Sequence, residues 1–321
     1  MFFVLVLHTN YLSIGQPSFY DVRLVEFTTR TFIESFNFIA VIVFVLISGY
    51  FSIKPSKKSV VNYLFVCLFY SVGLRIAYFV FHDTLSPYKD LSFTSSLLFL
   101  SNSSWFVVDY LALMVFAPIL NSFVENCSKK VLQTTIILIL IFSTYFGLIT
   151  RSLEQYIAGF SFVTFLHIYL IGRYLNKYQI QMGGGKNVLL YLTLTVLTFA
   201  MSFISAYINK GGNIVWTYTN PLFILAGVFF FLLFIRNTDY NSPNVNRIAK
   251  STFAIYLIHS NPAVVYAYIA YFKYLHNTNT FGTYLILMIL SCIVVFIFSL
   301  LVDQLRIYIY NKVVYPLIFN R

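Results

Sequence analysis

Long apolar stretches separated by short polar segments run along the whole chain. A stretch of about 20 apolar residues is long enough to cross the roughly 30 Å hydrocarbon layer of a membrane as a helix. The hydropathy pattern and its polar breaks predict ten such spans, near residues 1–14, 31–53, 59–81, 104–124, 131–150, 157–175, 187–208, 216–235, 250–272 and 281–302. The segment 91–104 is too short and too polar to cross, so we expect a re-entrant or interfacial piece there.

Composition agrees with this pattern and excludes a soluble domain. Of 321 residues, 59% are hydrophobic and 10% are charged, with a mean hydropathy of +0.80. We therefore predict an all-α, polytopic membrane helix bundle forming a single integral-membrane domain over residues 1–321. The three cysteines, Cys67, Cys127 and Cys292, are scattered and have no ligand spacing around them. They predict neither a disulfide framework nor a metal site.

The basic charge of the chain is placed where it orients membrane helices. The formal net charge is +11, and most of the 21 Lys and Arg residues fall in loops on one side if the N-terminus is inside the cell. The positive-inside rule then predicts that both termini are cytoplasmic. Because the charges are dispersed in short loops rather than gathered in a patch, we expect no nucleic-acid partner. The lipid bilayer is the expected surrounding.

Ionisable side chains inside predicted spans are costly and are therefore candidates for function. They are His8, Glu34, Arg75, Asp109, His167 and His259. A neutral imidazole at residue 8 suits a general base or an acyl-accepting nucleophile, whereas an interfacial histidine bonded to backbone or water is the alternative. We interpret His167 as a packing or hydrogen-bonding residue.

Three of these ionisable residues, Arg75, Asp109 and His259, are further candidates for function. The Arg75 guanidinium could bind a ligand or extend along the helix to water, and Asp109 is its candidate counter-ion. His259 lies just before Asn261 and Pro262, and a proline there is expected to kink the helix where a bundle opens into a cavity. The sequence leaves both interpretations of Arg75 open.

Two adjacent lysines, Lys57 and Lys58, lie just before the third predicted span. They could set membrane orientation, or they could bind the phosphates of an anionic donor that arrives from the cytoplasm. Both functions use lysine as a point charge.

Four stretches resemble, in order, the acyltransferase 3 family of bacterial membrane O-acyltransferases. They are FFVLVLHTNY at 2–11, FVLISGYF at 44–51, WFVVDYLALMVFAPILN at 105–121 and STFAIYLIHSNP at 251–262. The similarity is greatest to the branch that modifies envelope polysaccharides in the bacterial cytoplasmic membrane. The resemblance implies acyl-CoA, usually acetyl-CoA, as a cytoplasmic donor substrate, no permanently bound cofactor, and a polysaccharide or lipid-linked sugar as acceptor.

The resemblance also assigns His8 as the residue essential for acyl transfer. In the family this histidine belongs to an R-x(10)-H motif, which would place the arginine four residues ahead of Met1. We therefore expect a truncated first helix and a start at an internal methionine of a longer protein, rather than an inactive copy. Ile42 departs from the family pattern, where a polar Asn is common.

These observations predict a membrane O-acetyltransferase that acts on an envelope or capsular polysaccharide. His8 is the predicted catalytic residue, with Arg75, Asp109, Tyr110 and His259 positioning donor or acceptor and Lys57 and Lys58 binding the CoA phosphates. The alternatives are a transporter or flippase for a lipid-linked sugar and a polysaccharide polymerase. A transporter predicts inverted repeats and a polymerase predicts a long external loop, and we find neither pattern in the sequence.

Overall fold

The computed structural model describes residues 1–81, 105–208, 214–235 and 242–319, and every regular element in those ranges is a helix. The α-helices are α1 Phe2–Leu7, α2 Leu24–Asn37, α3 Ala40–Phe51, α4 Lys57–Phe81, α5 Trp105–Asn126, α6 Lys129–Thr144, α7 Glu154–Ile157, α8 Phe162–Lys177, α9 Gly184–Ile208, α10 Pro221–Ile235, α11 Pro243–His259, α12 Val265–Thr278, α13 Phe281–Ile309 and α14 Tyr315–Phe319. Turns of π-helix follow three of them, at His8–Leu12, Tyr145–Ile149 and Tyr310–Val314. The predicted all-helical class is confirmed for these ranges.

Six helical segments among the described residues are long and apolar enough to cross a membrane. They are Leu24–Phe51, Lys57–Tyr78, Trp105–Asn126, Lys129–Ile149, Gly184–Ile208 and Phe281–Phe319. The predicted count of ten is not confirmed by the described residues, in which several predicted spans are shorter helices, such as the 16 residues of α8 and the 15 of α10. The segment 91–104 lies outside the described residues, and the orientation of the termini stays a prediction.

The ninth predicted span, 250–272, is wrong as one continuous helix. Its residues belong to α11, which begins at Pro243, and to α12, which begins at Val265. Pro262 lies between them, where its ring removes an N–H donor and disfavours a helical conformation at Asn261. The Asn261 carboxamide accepts a hydrogen bond from the Ala263 backbone at 2.9 Å. The helix therefore ends at this point and a second helix begins, rather than one helix continuing with a kink.

The bounds of two further spans differ from the prediction. The second begins at Leu24 rather than at residue 31, so Arg30 lies within α2, where it is buried and pairs with Glu26 at 3.3 Å. The tenth predicted span forms α13, which continues to Ile309 rather than ending at residue 302. In both cases a hydropathy window ends at a charged residue, although the folded helix buries that residue with a partner.

The chain divides into two compact units. The first comprises 1–14, 56–107 and 241–321, and the second comprises 15–55 and 108–240. In the first unit α11 packs against α4 and α13, and α1 lies against α11 and α13. The short α1 is therefore held between longer helices of its own unit.

In the second unit the helices approach each other closely. α3 packs against α8 and α10, and α9 packs against α2 and α10. Gly49 on α3 and Gly172 on α8 permit the closest approach: a Cβ atom on Gly49 would lie 2.4 Å from the Tyr169 carbonyl oxygen, and one on Gly172 would lie 2.6 Å from that of Leu46. Small residues at such a crossing let two backbones come into contact.

Candidate active site

His8 and His259 form a hydrogen-bonded pair in the first unit. The Nδ1 atom of His8 lies 2.9 Å from the Nε2 atom of His259, and the ring centroids are 4.9 Å apart. His259 is 1% exposed, whereas His8 is partly exposed. The two residues are 251 positions apart in the chain. The structure therefore brings together two candidates that the sequence identified separately.

The π-helical turn after α1 begins at His8. Such turns widen a helix by one residue and often occur at functional sites. Two buried tyrosines hold the backbone around it: the Tyr268 hydroxyl donates to the Leu5 carbonyl at 3.1 Å, and the Tyr284 hydroxyl donates to the Thr9 carbonyl at 3.3 Å. The backbone of this turn is thus anchored on both sides of the histidine.

His259 is the last residue of α11 and directly precedes the interruption between α11 and α12. Its Nδ1 atom lies 2.5 Å from the Ile255 carbonyl oxygen one turn earlier. Beyond the helix end, the Asn261 side chain donates to the Tyr70 carbonyl of α4 at 3.3 Å. The segment between α11 and α12 is therefore bonded to α4, and the imidazole of His259 is held by the Ile255 carbonyl at the end of α11.

The other predicted positioning residues are distributed over both units. Arg75 belongs to α4 of the first unit and is 5% exposed, so protein packs around its side chain. Asp109 and Tyr110 belong to the second unit, where the Tyr110 hydroxyl lies 3.0 Å from Ser48 Oγ. The pairing of Arg75 with Asp109, and a role of any of these three residues in binding substrate, stay predictions.

Lys57 and Lys58 are exposed at the start of α4. Their ammonium groups lie over aromatic rings near the end of the chain, 5.8 Å from the Phe319 centroid and 4.7 Å from the Tyr315 centroid. Such cation–π contacts leave the charges accessible to an anion. Binding of CoA phosphates by these lysines stays a prediction.

His167 belongs to α8 in the second unit and is 1% exposed. Its Nε2 atom lies 3.1 Å from the Ile136 carbonyl oxygen of α6. This contact agrees with the interpretation of His167 as a hydrogen-bonding residue. Within the described ranges, no three His, Cys, Asp or Glu side chains are grouped so that they could hold a metal ion.

Comparison with known proteins identifies the family of this chain. The family model described as an acyltransferase domain matches residues 1–300. The chain belongs to the acyltransferase 3 family. The comparison with curated proteins gave no significant match, and neither did the comparison with solved structures. The matched residues include the whole of α1 and α11, and therefore both histidines of the pair. The site thus lies in a membrane acyltransferase.

In this acyltransferase, the segment 105–121 that resembles the family bonds in the second unit to the chain just beyond the segment 44–51. Asn121 of α5 donates to the Ile53 carbonyl at 2.9 Å and accepts from the Tyr169 hydroxyl at 2.7 Å. The Ile53 amide in turn donates to that tyrosine oxygen at 3.1 Å. These bonds satisfy both backbone groups of a residue just beyond the end of α3, where a helix offers no partner of its own.

The acyltransferase also contains a buried charge network that the sequence interpretation missed. The Arg306 guanidinium donates two hydrogen bonds to the Asp303 carboxylate, at 2.7 and 2.8 Å, and the Tyr70 hydroxyl donates a third at 2.8 Å. Asp303 is 0% exposed. The i,i+3 spacing of opposite charges in a continuing apolar pattern is the signal that indicates such a pair on one helix face.

Proposed function

We propose that this membrane acyltransferase moves an acetyl group from acetyl-CoA to a hydroxyl of an envelope or capsular polysaccharide sugar. The observation that carries the proposal is the His8–His259 pair, with one ring partly exposed and the other buried. A partly exposed imidazole backed by a hydrogen-bond partner has the arrangement that acid–base and nucleophilic catalysis require. The family membership supports acyl transfer over the flippase and polymerase alternatives.

Two chemical routes are compatible with a histidine at this position. In the direct route the imidazole of His8 takes the proton of the sugar hydroxyl as its oxygen attacks the thioester carbonyl. In the covalent route the imidazole attacks the thioester itself and passes the acyl group to the sugar. Both routes require that acyl donor and sugar reach His8. The tyrosine bonds around the π-helical turn support a fixed geometry for either step.

The test is a His8→Ala substitution in the full chain. In cells whose own copy has been deleted, the variant should leave the surface polysaccharide without its O-acetyl groups, measured by alkaline release of acetate. With purified protein in lipid nanodiscs, transfer from labelled acetyl-CoA to the extracted polysaccharide should fall by about 10²- to 10⁴-fold, the usual contribution of a general acid or base.

The matched control is His276→Ala. His276 lies on α12 of the same unit, and its ring contacts Asn277 and Tyr284. This variant should keep transfer within a few-fold of the unchanged protein. Normal O-acetylation by His8→Ala at equal membrane abundance would refute the proposal.

A further inference from the structure

We propose that His259 is a positioning residue that fixes His8 in the tautomer with a lone pair on Nε2. The inference rests on the proposed function for its consequence in catalysis, but the tautomer itself is a property of the folded chain. It differs from the sequence prediction, in which His259 contacts donor or acceptor. Here His259 acts through His8.

A backbone carbonyl determines the tautomer of His259. The Ile255 oxygen is an acceptor only, and it lies 2.5 Å from His259 Nδ1. The hydrogen of that contact must therefore come from the imidazole. With the ring neutral, a hydrogen on Nδ1 leaves a lone pair on Nε2.

The tautomer of His259 in turn determines the tautomer of His8. The Nε2 atom of His259 lies 2.9 Å from His8 Nδ1. Because the His259 atom is then an acceptor, His8 Nδ1 must be the donor. A neutral imidazole carries one N–H, so the lone pair of His8 is on Nε2. No hydrogen bond to that Nε2 atom is formed by the residues that the structure describes, so the lone pair is available to a substrate.

Contacts around the pair hold the backbone of His8 and the ring of His259 in place. The Ser13 hydroxyl donates to the His8 carbonyl at 2.6 Å, and the Tyr268 hydroxyl donates to the Leu5 carbonyl at 3.1 Å. The Tyr268 ring also packs beside the His259 ring, with centroids 5.6 Å apart. One tyrosine thus contacts both the backbone that carries His8 and the ring that orients it.

In the direct route, the Nε2 lone pair of His8 takes the hydroxyl proton while the sugar oxygen forms a bond to the thioester carbon. The carbon–sulfur bond breaks, and the new proton passes from His8 to the departing thiolate, so that CoA leaves as a thiol. While His8 is an imidazolium ion, its Nδ1–H donates to His259 Nε2, which stabilises the charge. The Ile255 carbonyl accepts the hydrogen bond from His259 Nδ1, and this keeps His259 Nε2 an acceptor for the imidazolium.

In the covalent route the same lone pair forms the bond to the thioester carbon, and CoA leaves as a thiolate. The acyl-imidazolium then keeps its Nδ1–H bonded to His259. The sugar oxygen displaces His8 from the acyl carbon, and the hydroxyl proton is taken up by the thiolate. Each route begins at Nε2 of His8, so both need the tautomer that His259 selects.

The first test compares two substitutions at residue 259 in the full-length protein. His259→Leu cannot accept a hydrogen bond, whereas the side-chain oxygen of His259→Gln can accept one from His8 Nδ1. We expect the leucine variant to lower kcat on the order of 10²-fold with little change in KM for acetyl-CoA, and the glutamine variant to recover part of it. Tyr268→Phe, which keeps both imidazoles, should cost only a few-fold. Equal kcat in the leucine variant and the unchanged protein would overturn the proposal.

The second test measures the tautomer without any acyl transfer. Nitrogen-15 NMR of histidine-labelled protein in nanodiscs distinguishes protonated from unprotonated ring nitrogens, and His8→Ala and His259→Gln assign the two signals among the five histidines. We expect hydrogen on Nδ1 of both residues, and a shift of His8 toward Nε2 protonation in His259→Leu. Hydrogen on His8 Nε2 in the unchanged protein would refute the inference. A protein with the expected tautomer but no acetyl transfer would instead refute the proposed function.

Discussion

The two units differ in how closely their helix backbones approach, although both contain polar contacts between helices. In the first unit, polar side chains meet in pairs and networks inside the fold, as in His8 with His259 and Tyr70 with Asp303 and Arg306. In the second unit, glycines allow the backbones of α3 and α8 to touch. The proposed acid–base chemistry belongs to the first unit, whereas the second unit has the closer approach of helix backbones.

The largest expected effect on stability is in the first unit. Asp303→Ala leaves the Arg306 guanidinium buried without its carboxylate, and breaking a buried ion pair in this way costs about 3–5 kcal/mol in the free energy of unfolding. Thermal unfolding in detergent, monitored by circular dichroism, would measure the loss. The double variant with Asp303→Ala and Arg306→Met removes both charges and should recover much of it. A single variant as stable as the unchanged protein would mean that the network does not stabilise this unit.

A smaller effect is expected where the second unit depends on close backbone contact. Gly49→Ala puts a methyl group 2.4 Å from the Tyr169 carbonyl oxygen, which cannot move aside as a flexible side chain could. Overpacking of this kind costs about 1–3 kcal/mol.

The matched control is Gly73→Ala on α4 of the first unit, where a Cβ atom has open space. That change should be neutral or stabilise the helix by about 0.5–1 kcal/mol. The contrast between units would fail if the two alanine variants unfolded at the same temperature.

The smallest expected effect is that of Tyr110→Phe. The substitution removes one hydrogen bond, to Ser48, while the ring stays beside Phe44 at a centroid distance of 5.6 Å. Loss of one bond costs about 0.5–1.5 kcal/mol. Unfolding and acetyl-transfer assays on the same preparation would separate two roles. Transfer that stays within two- or three-fold indicates packing, whereas a larger fall in kcat or rise in KM supports the predicted positioning role.

Hydropathy and the cost of buried charge predict much of this molecule. Hydropathy indicates a helical membrane protein. The cost of ionisable groups in hydrocarbon identifies His8 and His259 as candidates. Neither predicts that the two imidazoles meet, because the pairing depends on how helices far apart in the chain pack together. The histidines form one site only after α1 has packed beside α11.

The predicted bounds of two spans are wrong at charged residues, because the helices continue past them. Asp303 and Arg30 each ended a predicted span, because an isolated charge opposes burial. In the fold, each is buried with an opposite charge three or four residues away on the same helix. A hydropathy window adds the residues separately, so it records the cost of a charge without the partner that offsets it.

The π-helical turn at His8 makes the spacing of the first helix functionally critical. A turn of this kind contains one more residue than an α-helical turn, and removing that residue would rotate everything before it by about 100° around the helix axis. Hydrogen-bond partners on α11, α12 and α13 would then face the wrong side of α1. Insertions and deletions in this stretch should therefore be tolerated far less than substitutions that preserve its length.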